Sequence, residues 1–219
     1  MKALKWSINL VLLLFVLASA QQVQAAPLPV SSYATAQNNW QGSKFYNQTV
    51  AGGTLSGRID YAVYDSQSLQ NSAETAFVNS VESVMPNMAR YLFTYQLSNN
   101  LSDSEAPLAY FEIFNLQETV LNVSSQNIGA KDDSAGGIEP TSSGLEQGGT
   151  RVVWNFAGQL LLEGNHSWYL VLSSDSGPVE GGYAVGSSDS DIPAPIPEPG
   201  TIALLSSGAL MIAGRRKRK

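Results

Sequence analysis

Between residues 30 and 190, apolar side chains recur at every second position. That is the period of a β-strand whose two faces meet different surroundings. Leu55, Gly57, Ile59, Tyr61 and Val63 share one face, and Thr54, Ser56, Arg58 and Asp60 the other. The pattern returns with Tyr91, Phe93, Tyr95 and Leu97, with Ala109, Phe111 and Ile113, with Val152, Trp154 and Phe156, and with Trp168, Leu170 and Leu172. Leu121 with Val123 and Tyr183 with Val185 are shorter instances. β-Branched and aromatic residues dominate these runs, as a pleated, half-buried surface requires. Breaks rich in Gly, Asn and Ser separate them, at Ser98-Asn99-Asn100, across residues 132–149, and at Glu163-Gly164-Asn165.

Roughly seven or eight short strands with such breaks predict an all-β fold, a two-sheet antiparallel β-sandwich of immunoglobulin-like or jelly-roll-like type. The domain is expected to span residues 26–190. One segment departs from the period of two. Ala73, Phe77, Val81 and Val84 or Met85 recur at helical spacing, Asn71 and Glu74 stand as in a capping box, and Pro86 follows. The spacing predicts one short helix over 72–85, lying across one end of the sandwich.

What chemistry this fold carries is limited by composition. The chain has no cysteine, so it has neither a disulfide framework nor a thiol nucleophile. Its one histidine, His166, lies in the turn-like sequence Gly164-Asn165-His166-Ser167 and reads as a solvated turn residue. Ser167 is adjacent, but neighbours in a strand point to opposite faces, so the two do not make a nucleophile and base. Glu112 and Glu163 are the acids best placed for paired-carboxylate hydrolysis, and acids on outer strand faces are routine. Asp103-Ser104-Glu105, Asp132-Asp133 and Asp189-Ser190-Asp191 offer oxygen ligands, though none follows a calcium-loop pattern, and they read as solvated loops. Trp40, Tyr46, Tyr64, Tyr110 and Tyr169 fall off the faces assigned to the core. Exposed rings there would stack on sugars.

The two ends carry more direct information. Lys2 and Lys5 precede an uncharged Leu- and Val-rich run over 8–18, and small residues follow at Ala18-Ser19-Ala20 and Val23-Gln24-Ala25. A basic start, a short apolar run and a small-residue exit describe a secretory signal peptide over 1–25, with cleavage expected between Ala25 and Ala26. About 11 apolar residues are too few to cross a bilayer comfortably.

At the other end, prolines alternate at Pro193, Pro195, Pro197 and Pro199, with Glu198 between the last two. Such alternation favours an extended tether over 191–200. Residues 201–214 carry no charge, and Arg215, Arg216, Lys217, Arg218 and Lys219 end the chain. At ~1.5 Å per residue the uncharged run reaches about 21 Å, short of a ~30 Å hydrocarbon core. A transmembrane helix over 201–219 is therefore marginal, with its basic end held in the cytoplasm.

Pro197-Glu198-Pro199, a short apolar segment and a terminal basic cluster, in that order, closely resemble the PEP-CTERM sorting signal. The resemblance implies an exported protein of a Gram-negative bacterium that makes exopolysaccharide. It also implies an exosortase, a membrane protease-transpeptidase, as the processing partner. A more diffuse similarity to exported proteins with this tail runs through Arg90 to Asn99, Val153 to Phe156, and Gly164 with Ser167 to Leu170. It implies a sandwich and transfers no active site.

Charge completes the reading. Seventeen acids lie between Asp60 and Asp191, against five basic residues in the middle of the chain. Such a surface repels phosphate backbones, so nucleic acid is not an expected partner. The sequence thus predicts a non-enzymatic cell-surface or matrix protein, associated with exopolysaccharide or biofilm. It has no cofactor or metal, and passes from the inner membrane as precursor to the envelope or matrix. A sugar-binding module is the second reading, and a secreted hydrolase the third.

Overall fold

The computed structural model describes residues 25–186, apart from 38–39, 51, 100–103, 115, 117–126, 148–149, 176 and 179–181. The signal-peptide segment before Ala25, the short Leu121–Val123 pattern, Asp103, Asp189, Asp191 and the whole tail from 187 lie outside the described residues.

Among the described residues, ten strands and two helices follow in the order α1 (Ser32–Gln37), β1 (Gln41–Val50), β2 (Gly53–Asp65), α2 (Ser72–Glu82), β3 (Tyr91–Asn99), β4 (Tyr110–Phe114), β5 (Ile128–Lys131), β6 (Ser142–Glu146), β7 (Arg151–Asn155), β8 (Asn165–His166), β9 (Tyr169–Ser174) and β10 (Gly182–Gly186). They form two antiparallel sheets. The larger runs β1-β2-β3-β9-β5, with β8 also on β3, and the smaller runs β10-β4-β7-β6. The two pack face to face as a sandwich.

The predicted inner faces supply the core. Leu55, Ile59, Val63, Phe93, Leu97, Leu170 and Leu172 from the larger sheet meet Phe111, Ile113, Val152, Trp154 and Val185 from the smaller. Trp154 is fully buried and stacks on Phe111 with ring centroids 5.6 Å apart. Its indole N–H donates to the Gly129 carbonyl at 2.8 Å, so one side chain of the smaller sheet ties β5 of the larger. At one end, the Asn99 amide donates to the carbonyls of Ala106 and Leu161 and gathers two loops over the core. Gly57 stands where Tyr46 crosses from β1, and a Cβ there would collide with the Tyr46 hydroxyl and the Ser98 carbonyl.

A second core lies on the outer face of the larger sheet. Ala62, Tyr64, Leu92, Tyr169 and Val171 pack against Phe77, Val78, Val81 and Met85. Phe77 sits edge-on to Tyr169 at 5.3 Å and tilted to Tyr64 at 5.2 Å. The helix predicted over 72–85 is thus present, but it covers a sheet face instead of an end, because its apolar stripe needs an apolar surface. It closes at Glu82. The amide of Val84 turns to the Val81 carbonyl, three residues back, and Pro86 blocks continuation. Met85 still reaches the second core, which accounts for the helical spacing running past the helix end.

Other departures have equally local reasons. The predicted fold has one helix, and α1 is a second. β1 pairs with β2 over its full length, Gln41 to Ala62 through Val50 to Gly53, although only Tyr46 and Val50 of its side chains are buried. The 132–149 break contains β6, paired with β7, and Asn99 belongs to β3.

Candidate functional site

Residues that follow the expected cleavage point are built into the fold. Ala26 and Leu28 pack against the second core. Pro27 and Pro29 flank Leu28, fix φ and lack amide protons, so this stretch makes no sheet ladder. Its carbonyls are satisfied by phenols and amides instead. Tyr169 Oη donates to the Ala26 carbonyl at 3.1 Å. Tyr64 Oη and Gln41 Nε2 donate to the Pro29 carbonyl at 2.8 and 3.1 Å. The Ser31 amide returns a bond to Gln41 Oε1, and Ser31 Oγ donates to the Val63 carbonyl. The next anchor is Glu74, fully buried at the start of α2. Asn71 caps that helix as expected, accepting from the Glu74 amide at 2.8 Å. The Glu74 carboxylate reaches outward to Ser32 N and Oγ at 3.0 and 2.7 Å, and to Gln70 N at 3.1 Å. One capping glutamate therefore secures both α2 and the start of α1.

Sequence reasoning did not single out Tyr64, Tyr169, Gln41 or Glu74 as holders of this segment. The available signal was the helical stripe of Phe77 and Val81, which demands an apolar partner face on a neighbouring sheet. Tyr64, Tyr169 and Val171 are the residues that provide it.

His166 is not a solvated turn residue. It lies in β8, opposite Ser98, and its side chain is 3% exposed. Nε2 stands 2.6 Å from Asp133 Oδ2, and the Asp133 side chain is wholly buried. Gln96 Nε2 donates to the same carboxylate at 2.9 Å, and the amides of Ala135 and Gly137 donate to Oδ1 at 3.1 and 3.3 Å. The Asp132-Asp133 pair is thus not simply a solvated loop, because Asp133 is the hub of an interior network. Ser167 turns elsewhere, accepting from the Leu97 amide at 3.0 Å and donating to the Trp168 carbonyl at 2.6 Å.

Glu112 and Glu163 are not brought together as a carboxylate pair. Glu112 lies on β4 of the smaller sheet, is nearly buried and is ion-paired with Arg151. Glu163 lies in the exposed turn before β8 of the larger sheet. Among the described residues no cluster of three acid, histidine or cysteine side chains is placed to hold a metal ion. Ser104 bonds Asn99 and the Ser56 amide, and Glu105 accepts from the Thr54 amide.

The aromatic residues set aside for sugar stacking are mostly interior. Tyr46 belongs to the inter-sheet core and Tyr64 and Tyr169 to the outer core, and all three are buried. Trp40 and Tyr110 are half-buried. Hydrophobic demand from α2 and from the opposite sheet claimed rings that alternation alone left outside. A pocket of about 420 Å³ opens between residues 84–87 and 128–130 over Val171, and no acidic or basic side chain lines it.

β10 is the last described strand. Gly186 pairs with Tyr110, and Gln48 Nε2 of β1 donates to the Val185 carbonyl at 2.9 Å. Pro197, Glu198, Pro199 and the basic residues 215–219 lie beyond the described residues. No helix among the described residues is long and apolar enough to cross a membrane.

Comparison with known proteins bears on that tail. Residues 195–219 match the family model of the PEP-CTERM protein-sorting motif. Neither the curated proteins nor the solved structures contain a match to the chain. The chain carries a PEP-CTERM signal, which implies export, sorting to the cell surface in association with the membrane, and processing by an exosortase.

Proposed function

We propose that the protein is a non-enzymatic component of the cell surface or extracellular matrix, associated with exopolysaccharide. In this reading residues 1–25 direct export, and 26–190 form the working domain. Residues 191–200 tether it, and 201–219 hold the precursor in the inner membrane until the exosortase acts. The observation that carries the reading is the match over 195–219, which includes Pro197-Glu198-Pro199 and the basic end 215–219.

The non-enzymatic part draws support from how the reactive groups are used. His166 is committed to Asp133, Glu112 to Arg151, and Ser167 to backbone. General acid–base chemistry needs a group near a reachable substrate, and these are interior structural groups.

Intact mass and fractionation of the native product test the proposal. The expected product is an envelope or matrix species that starts at Ala26 and ends near Pro199. Recovery of a full-length chain of 219 residues alone would overturn it.

A further inference from the structure

We propose that the Ala25–Ala26 bond is cut before the domain folds, and that residues 26–32 then dock as a strap that withdraws this segment from proteolysis. This rests on the export reading above. Water adds across the Ala25–Ala26 amide, leaving a carboxylate on Ala25 and an ammonium on Ala26.

The first argument is competition for backbone. Proteases take their substrates extended, by pairing with the backbone on both sides of the bond. Here the downstream side is already engaged. The Ala26 carbonyl is held by Tyr169, the Pro29 carbonyl by Tyr64 and Gln41, and the Ser31 amide by Gln41. Ala26 and Leu28 are packed on the second core, and Ser32 is bound to Glu74. A protease needs the residues beside the bond released, Ala26 and Leu28 first, and with the segment held on both sides of Pro29 that is the local opening of a folded element.

The second argument is order. The strap's anchors lie on β1, β2, α2 and β9, so the docking surface does not exist until all four are in place. Tyr169 follows Ala26 by 143 positions. At ~5–20 residues per second that distance takes on the order of 10 s to synthesise. A bond near the leading end of the chain is therefore exposed first and sealed last.

The test uses the full chain and a purified bacterial signal peptidase in detergent. In one arm the peptidase is present throughout translation, and in the other it is added once folding is complete. Cutting at Ala25–Ala26 is expected in the first arm and about tenfold or more slower cutting in the second, a factor worth ~1.4 kcal/mol. The double variant Tyr64→Phe, Tyr169→Phe keeps both rings and removes both strap hydroxyls, and it should recover cutting in the second arm. Gln41→Ala does the same from the half-buried start of β1 if the double variant fails to fold, with circular dichroism as the check. Equal rates in the two arms overturn the strap while leaving the export reading standing. No cut in either arm overturns the export reading itself, and cutting only after Ala20 overturns the assignment of the bond.

Discussion

His166 Nε2 lies 2.6 Å from Asp133 Oδ2, with both side chains inside the fold. Thirty-three positions separate the two residues in the chain. Asp133 also receives Gln96 and two loop amides, so it fastens the loop after β5 to β3 and β8.

Removing the hub should therefore cost more than an average substitution. Asp133→Ala takes away the partner of His166 and the acceptor shared by Gln96 and two loop amides, and leaving a buried polar group unsatisfied costs about 1–3 kcal/mol. Urea unfolding of residues 26–190 measures it. A loss under about 1 kcal/mol would place the network outside the stabilising contacts.

Gly57→Ala should destabilise by about 1–3 kcal/mol through overpacking. The added methyl meets the Tyr46 hydroxyl and the Ser98 carbonyl, whose mutual bond at 3.1 Å must break or shift. Thermal melts of the variant and of Tyr46→Phe separate the two effects: Tyr46→Phe loses only the bond, and Gly57→Ala should melt lower still.

The legible part of this fold is the part whose signal is local. β2, β3, β4, β7 and β9 alternate because each divides an inner core from another environment, and most residues assigned to their inner faces line that core; Tyr61, and Trp168 just before β9, are half-buried and stand outside it. β1 was not legible: Gln41–Val50 is mostly polar, and it is a strand because β2 offers it a complete ladder. His166 was legible as a residue after a turn, and Gly164 does adopt the positive φ of +82° that the turn needs. Its burial comes from a partner in a distant loop, which no local pattern encodes. Tyr64 and Tyr169 were misplaced for a related reason. Alternation distinguishes two faces of a strand and is silent on whether a helix covers the second one.

Stability should fall at alkaline pH. Burial raises the phenols of Tyr46, Tyr64 and Tyr95 well above the ordinary value of 10.0, and the Glu74 charge adds to it at Tyr64. Burial, then the charge of Asp133, pushes Tyr169 up to about 12. Below pH 10 folded and unfolded chains both keep these protons, and the stability is intact. Above it the unfolded chain loses them first, at ~1.4 kcal/mol per pH unit for each fully buried phenol such as Tyr46. Tyrosinate absorbance should rise together with loss of β-type dichroism. Ionisation of all nine tyrosines near pH 10 with the fold unchanged would contradict this.

A chelator should leave the melting temperature of residues 26–190 unchanged, and added calcium should not raise it. The acidic loop closest to a ligand set has given Asp133 to His166 and Gln96. Ligand binding to the native state raises stability in proportion to its occupancy, so a shift of several degrees would reveal a bound cation.

The sorting tail should separate from the domain by mutation. Glu198→Ala leaves the melt of the domain unchanged and blocks processing, so uncut precursor accumulates in the inner membrane. Neutral residues at 215–219 instead weaken retention before the cut. Fractionation in a host that has the exosortase reads both, and unchanged cleavage of Glu198→Ala would reduce the Pro-Glu-Pro to a spacer.

Strand order sets the pace of folding. Tyr95 pairs with Leu170, and Tyr110 with Gly186, each across about 75 residues, and closing such a loop costs roughly 4 kcal/mol of chain entropy before any contact repays it. The centre of the larger sheet waits for β9, and an edge of the smaller one for β10. High contact order of this kind belongs to domains that fold in milliseconds to seconds. A chain so built stays threadable while it crosses a membrane, and it completes its two sheets only when its last quarter has arrived on the far side.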